Sequence, residues 1–132
     1  MESRKESMRK ILNYIEEHLE ESVGLEQVAH AAGYSKYHVN RMFMAQTGCT
    51  IYKYIQMRRL TKAAEKLVRT DKTIVEISGE AGYSTQQAFS AAFRSVYLCS
   101  PGIYRRRGRF VPKQERFTLC GYDIFGGYGR TA

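Results

Sequence analysis

Apolar residues recur along the chain at helical spacing, broken by short polar turns. Met8, Ile11, Leu12, Ile15 and Leu19 fall three and four apart and lay one apolar stripe on a first helix. Ser3 and Glu6 precede it at capping-box spacing. Glu16, Glu17, Glu20 and Glu21 crowd its far end, where carboxylates oppose the helix dipole. The pattern offers no reason for them beyond a solvated face. Between Thr50 and Arg69 no Gly or Pro interrupts a stripe of Ile51, Tyr54, Ile55, Leu60, Ala63, Ala64 and Leu67. It predicts a helix of about 20 residues, roughly 30 Å long at about 1.5 Å per residue.

The flanks of that long helix repeat each other. Leu25 and Val28 lead to Gly33-Tyr34-Ser35, and Ile74 and Ile77 lead at the same distances to Gly82-Tyr83-Ser84. After an offset of one residue, Val39, Met42 and Phe43 correspond to Phe89, Ala92 and Phe93. Cys49-Thr50-Ile51 then corresponds to Cys99-Ser100-Pro101, and Tyr54 to Tyr104. Each copy reads as helix, glycine turn, helix, and a capped entry to a further helix. Gly33 and Gly82 follow an apolar helical run, where a left-handed residue ends a helix at little cost. Ser35, Thr85, Thr50 and Ser100 are natural N-caps, and Pro101 suits the first helical position. A short helix, a tight turn and a second helix make a helix-turn-helix.

Charge narrows the function. The sequence has 21 Lys+Arg against 13 Asp+Glu, a formal +8, which favours a polyanionic partner. Before Gly33 acidic residues outnumber basic ones. From Gly33 to Thr70 the basic residues Lys36, Arg41, Lys53, Arg58, Arg59, Lys62, Lys66 and Arg69 face a single acidic one, Glu65. A second block, Arg105, Arg106, Arg107 and Arg109, is either a solvated tail or a backbone contact. No run is apolar enough to span a bilayer and no hydrophobic leader stands at the N-terminus, so the chain reads as cytoplasmic with no membrane partner. Cys49, Cys99 and Cys120 are widely spaced and form no metal-ligand pattern; Cys49 and Cys99 read as small buried filler, and no cofactor or metal is expected.

The second helix of each copy divides into two faces. Val39, Met42 and Phe43, and likewise Phe89, Ala92 and Phe93, turn inward. Lys36, Tyr37, Asn40, Arg41 and Met44 turn outward in the first copy, and Gln86, Gln87, Ser90, Ala91 and Arg94 in the second. Arg bonds a guanine edge bidentately, and Asn or Gln an adenine edge, in the major groove. Double-stranded DNA is therefore the expected partner, with Lys36, Tyr37, Asn40, Arg41, Gln86, Gln87, Ser90 and Arg94 as the candidate contacts. The roughly 30 Å rod between the copies suits two reading helices spaced by the 34–36 Å between successive major grooves.

These residues resemble the DNA-binding domain of the AraC/XylS family of transcription regulators, most closely its group of small activators. The resemblance runs from about Met8 to Arg107. It rests on Gly33-Tyr34-Ser35-Lys36-Tyr37-His38-Val39-Asn40-Arg41-Met42-Phe43, on Gly82-Tyr83-Ser84-Thr85-Gln86-Gln87-Ala88-Phe89-Ser90, and on Phe93-Arg94 with Tyr97, Pro101 and Tyr104-Arg105. It implies a seven-helix, two-subdomain fold that binds an asymmetric site as a monomer, places two helices in adjacent grooves, and activates through contact with RNA polymerase. Family members often carry Trp at the place of Tyr37 and Gln at that of Asn40. Ala91 stands where the small activators have a base-contacting Arg, and Leu98 where a Gly usually closes the last recognition helix.

The expectation is thus an all-α regulator. Residues 1–50 form the first helix-turn-helix subdomain, 51–70 a linker helix, 71–107 the second subdomain, and 108–132 a non-helical or disordered tail. The tail carries strand-like alternation from Arg116 to Gly129 and is too short for a core of its own. Some family members have an effector-binding domain at that place, so an effector ligand is expected only with such a further domain. Two rival readings remain. A DNA-repair alkyl-transfer enzyme needs a metal-bound cysteine cluster that the scattered cysteines do not supply. A non-specific DNA-compacting protein has no use for Asn40, Arg41, Gln86 and Gln87.

Overall fold

The computed structural model of the chain describes residues 3–117. Among them are seven helices and no strands: α1 (Arg4–Glu17), α2 (Leu25–Ala32), α3 (Lys36–Thr47), α4 (Ile51–Arg69), α5 (Ile74–Glu80), α6 (Gln86–Tyr97) and α7 (Pro101–Arg107). The predicted caps form. Ser3 accepts the Glu6 N–H at 3.1 Å, Ser35 that of His38 at 3.1 Å, Thr50 that of Lys53 at 3.1 Å, Thr85 that of Ala88 at 3.0 Å and Ser100 that of Ile103 at 3.2 Å. Each satisfies an amide that the helix itself leaves without a partner. A capping box of Thr73 and Glu76 opens α5 as well, a signal present in the sequence and not anticipated.

The described residues divide into two compact units, one of 3–18, 23–55 and 116–117, the other of 19–22 and 56–115. In the first, Met8, Ile11, Leu12 and Ile15 of α1 are buried with Val28, Ala29 and Ala32 of α2 and Val39 and Phe43 of α3. Ile51, Tyr54 and Ile55, the opening turns of α4, complete this core. Gly33 ends α2 with φ +81°, which frees the chain to turn into α3.

In the second unit the rest of α4 gives Leu60, Ala63, Ala64 and Leu67 to a core shared with Ile77 and Ala81, Phe89, Phe93 and Tyr97, Cys99 and Tyr104. The long helix therefore supplies both cores, with residues 51–55 in one unit and 56–69 in the other. Gly82, at φ +91°, has a second constraint: a Cβ there would lie 3.0 Å from Arg59 Nη1. That guanidinium is fixed by the Leu19 carbonyl, which accepts from Nε at 2.8 Å, and by the Glu21 carbonyl.

One residue at the acidic end of the first stripe, Glu20, now has a physical account. Helix α1 stops at Glu17; His18 caps it, with its ring stacked on Tyr14 at 4.0 Å and Nδ1 at 2.7 Å from the Tyr14 carbonyl oxygen. Glu20 lies beyond the helix and accepts from Lys66 Nζ at 2.6 Å, within the second unit. Its charge is used in an ion pair rather than set against the dipole.

Residues 108–117 after α7 are non-helical, as expected, but not solvated throughout. Val111 donates its N–H to the Tyr104 hydroxyl at 2.8 Å and accepts from the Tyr97 hydroxyl at 2.9 Å. Gln114 is buried, its N–H bonded to Thr61 Oγ1 at 3.0 Å and its carbonyl to Arg58 Nη1 at 2.7 Å. Phe117 is buried in the first unit and donates its N–H to the Tyr54 hydroxyl at 3.2 Å. A short tail needs no core of its own when it completes cores already present. The strand-like alternation beyond Phe117 lies outside the described residues.

Candidate nucleic-acid interface

Helix α3 rests on an aromatic floor. Phe43 meets Tyr54 at 5.4 Å between ring centroids and Phe117 at 6.2 Å, and Tyr54 stacks on Phe117 at 5.0 Å. Burying Val39 and Phe43 against this floor fixes the rotation of α3 and turns the other face outward. Lys36, Tyr37 and Arg41 are exposed and Asn40 is half-buried, so the four first-copy candidates share one face. They line a single open depression with Leu25, Met44 and Ala45. Tyr37 is 81% exposed, an arrangement that costs apolar hydration unless a partner covers the ring. Lys36 makes a 3.2 Å ion pair with Glu26, but both side chains are more than half exposed, so the pair is weak and yields readily to a phosphate.

Arg41 lines a second depression with Arg4, Ser7, Tyr34, His38, Met42 and Ala45. Ser7 and Tyr34 share a 2.8 Å hydroxyl–hydroxyl hydrogen bond there, and His38 packs against Tyr34 at 4.7 Å. His38 lies in the first turn of α3. Its contact with Tyr34 braces the turn that aims α3.

Helix α6 is built on the same plan. Phe93 stacks on Tyr97 at 4.6 Å and meets Tyr104 at 5.4 Å, while Tyr97 meets Tyr104 at 4.9 Å. In the first copy Thr47 holds the place of Tyr97, and Phe117 supplies the third ring. Over this floor Gln86, Gln87 and Arg94 are exposed and Ser90 is half-buried. The four second-copy candidates thus also share a face, around an exposed Ala91.

Several cations counted toward a polyanion are occupied internally. Arg58 is buried on the Gln114 carbonyl, and the half-buried Arg59 donates to those of Leu19 and Glu21. Lys66 bridges Glu20 and Glu80, the latter at 2.7 Å, and Arg69 pairs with Glu65. Arg105 donates to the carbonyls of Leu67 at 2.8 Å, Thr70 at 3.3 Å and Lys72 at 2.6 Å, which excludes its role as a free basic tail residue. Net charge along the sequence overstates the cationic surface, because a guanidinium meets backbone carbonyls as well as phosphates. Burial tends to lower the pKa of Lys66, but its hydrogen bonds to Glu20 and Glu80 outweigh this and raise it.

Among the described residues, no group of His, Cys, Asp and Glu could hold a metal ion, and no helix is long and apolar enough to cross a membrane. Cys99 is buried and Cys49 half-buried, both as free thiols.

Comparison with known proteins agrees with this geometry. A family model described as a helix-turn-helix domain matches residues 28–107. The regulatory protein SoxS of Salmonella typhimurium is 36% identical over 105 residues, which cover 80% of this chain and 98% of SoxS. An uncharacterized HTH-type transcriptional regulator of Bacillus subtilis, YbfP, is 36% identical over 83% of this chain, which spans only 37% of YbfP. The DNA-binding domain of the global transcriptional factor AdpA, solved in complex with a target DNA, superposes with a TM-score of 0.71 at 26% identity, over 76% of this chain and 91% of that domain. SoxS is a regulatory protein, YbfP an HTH-type transcriptional regulator and AdpA a global transcriptional factor. With both helix-turn-helix copies, their caps and their aromatic floors in place, the chain belongs to the AraC family of DNA-binding transcription regulators.

Proposed function

We propose that this chain binds one asymmetric DNA site as a monomer, with α3 and α6 in adjacent major grooves, and activates transcription from it. The observation that carries the reading is the duplicated face. Lys36, Tyr37, Asn40 and Arg41 stand outward on α3, and Gln86, Gln87, Ser90 and Arg94 outward on α6, each above a buried aromatic cluster. Asn40, Arg41 and Gln87 have the side chains for base edges, and Lys36, Gln86, Ser90 and Arg94 those for phosphates. A covalent pair of reading helices does in one chain what a symmetric dimer does in two, and two unlike faces call for unlike half-sites. Activation through RNA polymerase is carried over from the family resemblance alone. A further domain, which would span the rest of proteins such as YbfP, would be the place for an effector.

Selection of bound duplexes from a random pool, followed by sedimentation of the complex, tests the reading. The expected result is one protein on a non-palindromic site of about 20 base pairs. Two chains on a strict palindrome would overturn it, and so would equal affinity for selected and random duplex.

A further inference from the structure

The two copies build the same aromatic floor from different sources. In the second, Phe93 and Tyr104 stand 5.4 Å apart, and Tyr97 closes the triangle at 4.6 Å from Phe93 and 4.9 Å from Tyr104. All three rings belong to α6 and α7. In the first copy Phe43 and Tyr54 stand the same 5.4 Å apart, but Thr47 holds the place of Tyr97. Thr47 has no ring, and its hydroxyl turns back onto the Phe43 carbonyl at 2.8 Å. The third ring is Phe117, 63 positions along the chain from Tyr54 and outside the helices. It stacks on Tyr54 at 5.0 Å and meets Phe43 edge-on at 6.2 Å.

This ring is a fixed part of the floor. Phe117 is buried and donates its N–H to the Tyr54 hydroxyl at 3.2 Å, and the neighbouring Arg116 donates to Asn13 Oδ1 of α1. Above it, Val39 and Phe43 are fully buried and form the foot on which α3 stands. Packed interiors close only partly around a void, and the side chains that line it move. A void at residue 117 therefore gives Phe43 room to sink or turn, and Asn40 and Arg41, within one turn of it on α3, move with the helix. A two-bond contact to a base edge needs placement within about 0.5 Å and 10–20°, whereas a lysine meets a phosphate as a mobile point charge. Base discrimination is thus lost before affinity.

We infer that Phe117 is a positioning residue for base reading by the first copy alone: its ring seats Phe43 and so sets the aim of Asn40 and Arg41. The inference rests on the proposed reading of DNA by α3 and α6. Because α6 stands on rings from α6 and α7, its aim does not depend on residue 117.

Phe117→Leu keeps most of the apolar volume but removes the ring, and Phe117→Ala removes both. Each variant of the full chain is compared with the parent on the selected duplex, its single-base variants and an unrelated duplex. The temperature is one at which circular dichroism shows every chain folded. In the parent, a base change under Asn40 and Arg41 should cost about tenfold in affinity. That penalty should shrink to about threefold in Phe117→Leu and further in Phe117→Ala, while penalties under α6 and affinity for the unrelated duplex stay within about twofold. Phe117→Leu carries the test if Phe117→Ala does not fold. A ring that only stabilises the unit would lower the melting temperature and leave every penalty as in the parent, and that result overturns the inference. Equal shrinkage in both half-sites overturns it as well. A parent chain with no base preference under α3 removes the two-groove reading itself, and this inference with it.

Discussion

Leu98 ends α6 in the same left-handed conformation in which Gly48 ends α3. The two residues hold equivalent places in the repeat, with φ +62° and ψ +22° for Leu98 and φ +81° and ψ +6° for Gly48. Each donates its N–H to the carbonyl four residues back at 2.8 Å, Arg94 for Leu98 and Met44 for Gly48. The helix end is thus retained although the glycine is absent, and Leu98 is the one non-glycine residue with positive φ among the described residues.

A β-carbon in that region costs roughly 1–2 kcal/mol, and Leu98 recovers little by packing because it is 80% exposed. Leu98→Gly should therefore raise stability. The gain is reduced by about 0.4–1 kcal/mol for the greater freedom of glycine in the unfolded chain. A net rise of about 0.5–1 kcal/mol in urea unfolding is expected, with DNA affinity unchanged. A loss of stability would mean that the leucine side chain makes contacts worth more than the strain.

Arg105 supports the second unit rather than the nucleic acid. Its guanidinium ties the end of α4 to the turn before α5 through the carbonyls of Leu67, Thr70 and Lys72. Arg105→Ala leaves those acceptors without their donor and should cost about 2–3 kcal/mol in stability. The slope of log affinity against log salt should stay the same, because no phosphate contact is lost. Arg41→Ala should show the opposite profile, with stability held within about 0.5 kcal/mol, as for an exposed residue, and DNA affinity reduced. A shallower salt slope for Arg105→Ala would place it on the backbone after all.

Glu80 makes the second unit sensitive to acid. Hydrogen bonds from Lys66 and then Lys72, both at 2.7 Å, hold its carboxyl below the usual 4.5 despite the opposing effect of burial. A lowered folded pKa adds stability that is fully present above the ordinary value. It is lost as pH falls through the folded one. Glu80→Gln should therefore cost a few tenths to about 1 kcal/mol at pH 7. The gap from the parent chain should close as pH drops below 4.5. A gap that persists at low pH would point to packing instead of charge.

Local signals made most of the fold legible in the sequence. Ser35, Thr50, Thr85 and Ser100 cap the helices their positions announce, and Gly33 turns where a left-handed residue was needed, because these effects depend on neighbours a few residues away. The outward sets on α3 and α6 follow from the same periodicity. What the sequence hid depends on distant partners. Arg58 finds Gln114, Lys66 finds Glu20, and Tyr54 finds Phe117 across separations that no window covers. The departure at Leu98 has another basis. A missing glycine signals a cost, but the packing of Phe89, Phe93 and Tyr97 on the inner face of α6 holds a strained last residue in place.

Under the proposed two-groove reading, the two copies differ in how much of the base reading each can do. On α3, Asn40 and Arg41 lie side by side on the outward face, and both can make two bonds to a base edge. At the matching places on α6 stand Ser90 and Ala91. Serine discriminates weakly among bases, and alanine can touch only a thymine methyl. Gln86 and Gln87 occupy the first turn above the Thr85 cap, where side chains and free N–H groups readily meet phosphate, although Gln87 also has the amide to read an adenine. The first copy should therefore carry most of the sequence preference and the second most of the backbone grip. Single base changes under Asn40 and Arg41 should cost about 1–3 kcal/mol each, and clearly less in the other half-site. Ala91 is exposed on the outward face, so Ala91→Arg fits without disturbing the core. It should raise affinity and create a guanine preference in the weaker half, measurable by the same scan of base changes in competition binding. Equal penalties in both half-sites of the parent chain would sink the asymmetry. A gain of affinity from Ala91→Arg on every sequence alike would show a new phosphate contact and no new base reading.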